Sequence, residues 1–113
     1  MIIKMENCEY ILCSAIWYKD LSLKQQLPNM NPINIDKGIV LCGFRHLQCV
    51  RQLNNLTGLR SVRSEVGEYI QGFLTSENLF VNRAKGLQIA IASKQVEEYK
   101  TIHNNHLFSE DLW

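Results

Sequence analysis

The stretch Glu68-Tyr69-Ile70-Gln71-Gly72-Phe73-Leu74-Thr75-Ser76-Glu77-Asn78-Leu79-Phe80-Val81-Asn82 decides the fold class. Its Glu68–Thr75 half is rich in the aromatic and branched residues that suit a pleated strand. Ser76-Glu77-Asn78 is turn-forming and Leu79-Phe80-Val81 is apolar again, so the spacing predicts an antiparallel hairpin. Asn82 stands where a helix N-cap is wanted, because its side-chain oxygen accepts a first-turn N–H. Downstream, Ala84, Leu87 and Ile91 share one stripe with Ile89 and Ala90 beside it, which predicts a helix ending near Gln95.

Working outward, Gly38-Ile39-Val40-Leu41-Cys42-Gly43 reads as a strand bounded by glycines. Leu47, Val50, Leu53 and Leu56 follow at every third residue, an amphipathic helix closed by Thr57 and a left-handed cap at Gly58. Glu9 to Lys19 is an apolar, aromatic run without helical spacing and suits a central strand. Between these strands, Asp20 to Lys37 holds both prolines and no periodicity, the mark of a long loop. At the other end Val96 to Trp113 is polar until Leu107-Phe108-Ser109-Glu110-Asp111-Leu112-Trp113, an apolar close that reads as a docked tail. The expected fold is α+β: one small domain over residues 1–113, mainly antiparallel sheet, with two helices packed on one side.

Composition narrows the function classes. The chain has 113 residues, enough for one ordinary domain, and 46% apolar against 20% charged excludes a disordered or low-complexity segment. No apolar run reaches the ~20 residues a bilayer span needs. Glu6 and Glu9 interrupt the first residues where a secretory signal would be continuous. Cys8, Cys13, Cys42 and Cys49 read as reduced thiols of an intracellular protein.

The formal net charge is +1, yet the sum hides a pattern. Between Asp36 and Glu65 there is no acidic residue, while Lys37, Arg45, Arg51, Arg60 and Arg63 all fall inside, four of the five arginines. Arginine grips phosphate through a planar fork and stays charged at any working pH. Gly43-Phe44-Arg45-His46 sets two of these polar side chains where a strand ends and a helix begins, with its N–H groups exposed. Phe44, Phe73 or Phe80 could supply a stacking surface for a base. Phosphate grip plus a base platform describes a nucleotide pocket. Taken singly, His46 reads as a capping or buried structural histidine, and the phenylalanines read as core.

Ser14-Ala15-Ile16-Trp17-Tyr18, Gly43-Phe44-Arg45-His46, Gly72-Phe73-Leu74-Thr75, Phe80-Val81-Asn82-Arg83 and the closing Leu107–Trp113 string occur in the same order in a family of small phage proteins. By these strings, over most of its length, the chain resembles the first Thoeris anti-defence family of phage signal sponges. The resemblance implies a binding protein, not an enzyme. It would sequester the 1″–3′ glyco-cyclic ADP-ribose (gcADPR) made by TIR-domain enzymes, and cyclic trinucleotides of CBASS immunity at a separate site. It also implies dimers that build a hexamer in the host bacterial cytoplasm, with no cofactor and no membrane or nucleic-acid polymer as partner. The ligand-binding residues carried over are Arg45, His46, Phe73, Asn82 and Arg83, to which the basic segment adds Arg51 and Arg60. Relatives often have Asp where this chain has Asn82, which keeps the helix cap and removes a negative charge beside a bound diphosphate.

Three other readings compete. A small nucleic-acid-binding domain would use the basic segment directly and would show steep salt dependence. A phosphodiesterase would use His46 as acid or base beside Arg45, although no hydrolase, phosphate-loop or deaminase motif is present. A zinc module would draw on Cys42, His46 and Cys49, at spacings unlike those of zinc sites.

Overall fold

The computed structural model describes residues 8–21, 31–97 and 105–113. In chain order the elements are β1 (Ile11–Tyr18), β2 (Ile39–Gly43), α1 (His46–Thr57), α2 (Arg63–Val66), β3 (Tyr69–Thr75), β4 (Phe80–Asn82), α3 (Arg83–Ala92) and α4 (Ser109–Leu112). The run expected to be a central strand is β1. Ser14, Ile16 and Tyr18 are buried toward one face and Ala15 toward the other, which requires cover on both faces. The sheet order is β2-β1-β3-β4, with every neighbouring pair antiparallel. Register aligns Gly43, Ser14, Phe73 and Val81 in one row across the four strands.

Both longer helices lie on the Ser14 face, as expected for an α+β domain. The α1 side of the core gathers Ile16, Tyr18, Ile39, Cys49, Leu53 and Val66. On the α3 side, Phe73, Val81, Leu87, Ile89, Ala90 and Leu107 pack together. Gly58 takes the left-handed conformation (φ 77°) and closes α1. Asn82 Oδ1 accepts the Lys85 N–H at 2.8 Å and opens α3. No helix among the described residues is long and apolar enough to cross a membrane.

The α1 stripe departs from the reading every third residue. His46, Cys49 and Leu53 are buried, whereas Leu47 and Leu56 are 58% and 72% exposed. At about 100° per residue, each step of three falls roughly 60° short of a full turn. Leu56 therefore ends on the side of the helix opposite Leu47. α3 stops at Ala92, short of the expected Gln95. Gln95 instead turns back to β1, where its amide donates to the Ile11 carbonyl at 2.9 Å and accepts the Ile11 N–H at 2.8 Å. The short α2 and α4 carry too few residues to show periodicity and were not expected.

The 20–37 segment does more than connect. Residues 22–30 lie outside the described residues; the rest seals the sheet. Asn31 accepts the Val40 N–H and donates to the Gly38 carbonyl on the outer edge of β2, and Gln52 from α1 donates to the Cys42 carbonyl of the same edge. Asn34 accepts the Phe80 N–H at 2.9 Å and donates to the Phe80 carbonyl at 2.8 Å on the outer edge of β4. Side-chain amides thus occupy backbone groups that would otherwise template another strand. Between them, Ile35 packs on Ala15 and Phe80, covering part of the face opposite the helices.

Candidate functional site

The Gly43-Phe44-Arg45-His46 turn is held at two points. Ser14 Oγ donates to the Phe44 carbonyl at 3.2 Å. The Arg45 N–H donates to Gln48 Oε1 at 2.7 Å, so α1 satisfies a terminal donor with its own side chain. Below the turn, Gly72 lets β4 approach β3 closely: a Cβ there would stand 2.0 Å from the Val81 carbonyl oxygen.

Arg45 and His46 leave this turn in opposite directions. His46 points inward and is 8% exposed. Its ring meets Phe73 edge-on at 5.2 Å, and Nε2 donates to the Gly72 carbonyl at 2.8 Å. A carbonyl can only accept, so the ring proton sits on Nε2. Burial pulls the imidazole pKa below its ordinary value, and the positive charge of Arg83 acts the same way; the Gly72 bond opposes them. His46 is therefore a neutral donor near pH 7.

Arg45 points outward. It donates to the backbone oxygen of Trp113 and lies 3.6 Å from the Glu110 carboxylate. Its guanidinium is 5.9 Å from the Phe44 ring centre, and Phe44 stacks in a tilted arrangement on Trp113 at 5.0 Å.

Arg83 fastens the same tail lower down. Nη1 donates to the Leu107 carbonyl at 2.8 Å, and Nη2 donates to Gln71 Oε1 at 2.6 Å. The guanidinium lies over Phe108 at 4.7 Å. The Arg83 carbonyl accepts the Leu107 N–H at 3.0 Å. Burial lowers the Arg83 pKa while Glu110 and Asp111 act against that shift; a guanidinium starting so high stays charged. Leu107 is fully buried and Ser109 is 3% exposed, so the tail is docked as expected.

Arg45, His46, Phe73, Asn82 and Arg83 consequently lie in or beside one cluster, with Asn82 committed to capping α3. Arg51 and Arg60 do not join them. Arg51 is exposed on α1 with no ion pair among the described residues. Arg60 lies beyond the far end of α1, its Nε 2.7 Å from Glu65. Arg63 lies 3.5 Å from Glu68. The acid-free segment is acid-free only along the chain, because acids just outside it fold back onto its arginines.

Phe73 is wholly buried against His46, so the rings with accessible surface beside Arg45 are Phe44 and Trp113. Glu110, Phe108, Gln71 and Trp113 were not singled out as site residues. The one signal for the three tail residues was the apolar closing string; Gln71, on β3, had none. Among the described residues no group of His, Cys, Asp or Glu is arranged to hold a metal. Cys49 points instead at the Ser14 and Arg45 carbonyls. The cluster offers two guanidinium groups, a neutral imidazole engaged with the backbone and an aromatic pair at the surface. That chemistry suits an anion joined to a planar ring.

One family model, described as phage T4 y16D protein, matches residues 10–113. No curated protein and no solved structure matches the chain.

Proposed function

We propose that this chain, which belongs to the phage T4 y16D protein family, is a phage anti-defence sponge that binds 1″–3′ gcADPR and holds it without cleavage. One observation carries this reading. Four strings that carry the resemblance are separate in sequence and meet in space: Gly43–His46 through Arg45 on Trp113, Gly72–Phe73 through His46, and Asn82-Arg83 through Arg83 on Leu107. A cyclic ADP-ribose isomer carries a diphosphate, ribose hydroxyls and an adenine. Arg45 suits the first and Phe44 or Trp113 the last, with Gln71 and Asn82 as nearby amides. From the resemblance come two further elements: cyclic trinucleotides of CBASS as a second ligand class, and assembly of dimers into a hexamer. The side-chain amides bonded to the outer edges of β2 and β4 favour assembly through faces of the domain over strand pairing.

The engagement of His46 favours binding over hydrolysis. Its Nε2 is committed to Gly72 and the ring is packed on Phe73, which leaves it poorly placed to exchange a proton with a bound phosphate. The ion pairs of Arg60 and Arg63 favour a local anion over a polymer, since they interrupt the basic segment.

The test is retention. The protein is incubated with the products of a TIR enzyme and filtered, and the signal is assayed before and after denaturation. Loss from the filtrate with return of intact gcADPR supports the sponge. Signal that stays in the filtrate refutes it, and signal destroyed makes the protein an enzyme. Arg45→Ala should weaken capture with an unchanged melting profile; unchanged capture removes this turn from the site.

A further inference from the structure

The two tail contacts of Arg45 and Phe44 have the chemistry of the proposed ligand. Glu110 presents a carboxylate to the Arg45 guanidinium, where a diphosphate would bind. Trp113 presents a fused aromatic ring to Phe44, where an adenine would stack. The backbone oxygen of Trp113 supplies a further acceptor for Arg45. Anion, acceptor and planar bicycle thus reach one turn from a single short segment of this chain.

The tail is held unequally along its length. Leu107 and Ser109 are buried, and Arg83 binds the Leu107 carbonyl while covering Phe108. Past Ser109, Leu112 and Trp113 rest half-buried against the α3 side of the core, but the contacts that engage the turn are of another kind. Glu110 is 70% exposed and 3.6 Å from a guanidinium that is itself 38% exposed, and the Phe44 partner of Trp113 is 53% exposed. Solvated contacts of this kind exchange readily, whereas the Leu107 anchor does not.

Resting on the proposed function, we infer that Glu110–Trp113 is an internal ligand mimic: a latch that occupies Arg45 and Phe44 in the empty protein and is displaced when the nucleotide binds. Leu107 and Ser109 stay docked as the hinge end, fastened by Arg83. The latch also sets selectivity. An inorganic anion can replace Glu110 on Arg45 but leaves Phe44 without its ring. A neutral purine can replace Trp113 but leaves Arg45 without its charge. Only a molecule bearing both parts replaces both contacts, so the abundant small anions of a cell do not open the site.

The experiment uses the full chain in a Trp17→Phe background, which leaves Trp113 as the sole tryptophan. Acrylamide quenching reads the exposure of Trp113, and equilibrium dialysis reads gcADPR binding. Glu110→Gln should raise quenching and tighten gcADPR by about two- to fivefold, the range an exposed ion pair spans. Added gcADPR should raise quenching of the parent protein, whereas pyrophosphate or adenosine alone should not. If gcADPR shields Trp113, or if Glu110→Gln weakens capture, the tail is part of the pocket and the latch is refuted while the sponge stands. If no variant binds gcADPR even though Glu110→Gln exposes Trp113, the proposed function fails, and the ligand exchange with it.

Discussion

Replacing Arg83 by methionine should unfasten the tail without emptying the core. Methionine keeps most of the side-chain length and removes two hydrogen bonds from a charged donor, at 2.8 Å to the Leu107 carbonyl and 2.6 Å to Gln71. Bonds of this kind contribute about 1.5–3 kcal/mol each when well buried. Arg83 is only half-buried, and the backbone bond from Leu107 N to the Arg83 carbonyl survives. The loss in tail docking is therefore about 2–3 kcal/mol, at or below the lower end of the sum. At 1.4 kcal/mol per tenfold, the open tail becomes roughly 30- to 150-fold more populated. Because Leu107 belongs to the core, the melting midpoint should fall too, by about 8–12 °C at roughly 4 °C per kcal/mol. Hydrogen exchange at the Leu107 amide is the direct assay, since it donates to the Arg83 carbonyl and lies in the anchored part of the tail. Arg83→Lys should recover part of the protection through its charge, though it lacks the two-pronged geometry. Exchange at that amide within about threefold of the parent would refute the reasoning, because it would leave Arg83 no role in holding the tail.

Three further outcomes follow from the same contacts. The folded pKa of His46 lies below its unfolded value of about 6.5, so acid favours the unfolded chain, which takes the proton first; stability should be level above that pH and fall below it, and His46→Gln should flatten the fall in urea titrations. Asn34→Ala removes both edge bonds to Phe80 and should cost about 1–3 kcal/mol, with concentration-dependent association by light scattering as the exposed edge finds partners. Leu53→Ala should cost about 2–5 kcal/mol while Leu56→Ala stays within about 0.5 kcal/mol in chemical denaturation; equal effects would overturn the assigned face of α1.

The strands were legible because each is a local pattern. The hairpin around Ser76–Asn78, the Asn82 cap and the Gly58 stop all rest on backbone preferences of a few neighbouring residues, and each stands where it was expected. The apolar face of α1 was less legible. Apolar residues at every third position resemble a stripe on paper, yet they drift around a helix of 3.6 residues per turn. His46 and Cys49, less obvious as core residues, hold the buried face with Leu53.

The candidate site divides in the same way. Arg45 and His46 were legible as candidates because they sit where a strand ends and a helix begins, while Phe73, Asn82 and Arg83 came from the family resemblance. Their orientations were not. Nothing local says that adjacent Arg45 and His46 separate to the surface and the core, or that Phe73 spends its faces on packing. The basic segment shows the limit most plainly: along the chain it has no acid, and in space Glu65, Glu68 and Glu110 lie beside three of its arginines.

By itself, then, the sequence determined an α+β domain with an antiparallel sheet, two helices on one face and a docked tail, and it nominated the residues of the candidate site. Only the tertiary structure decided which of those residues meet, which face outward, and that the tail ends on Arg45 and Phe44. Secondary structure follows from preferences a few residues long. The contacts of a guanidinium or a ring depend on segments tens of residues apart, whose meeting is set by sheet register and by which surfaces must leave water.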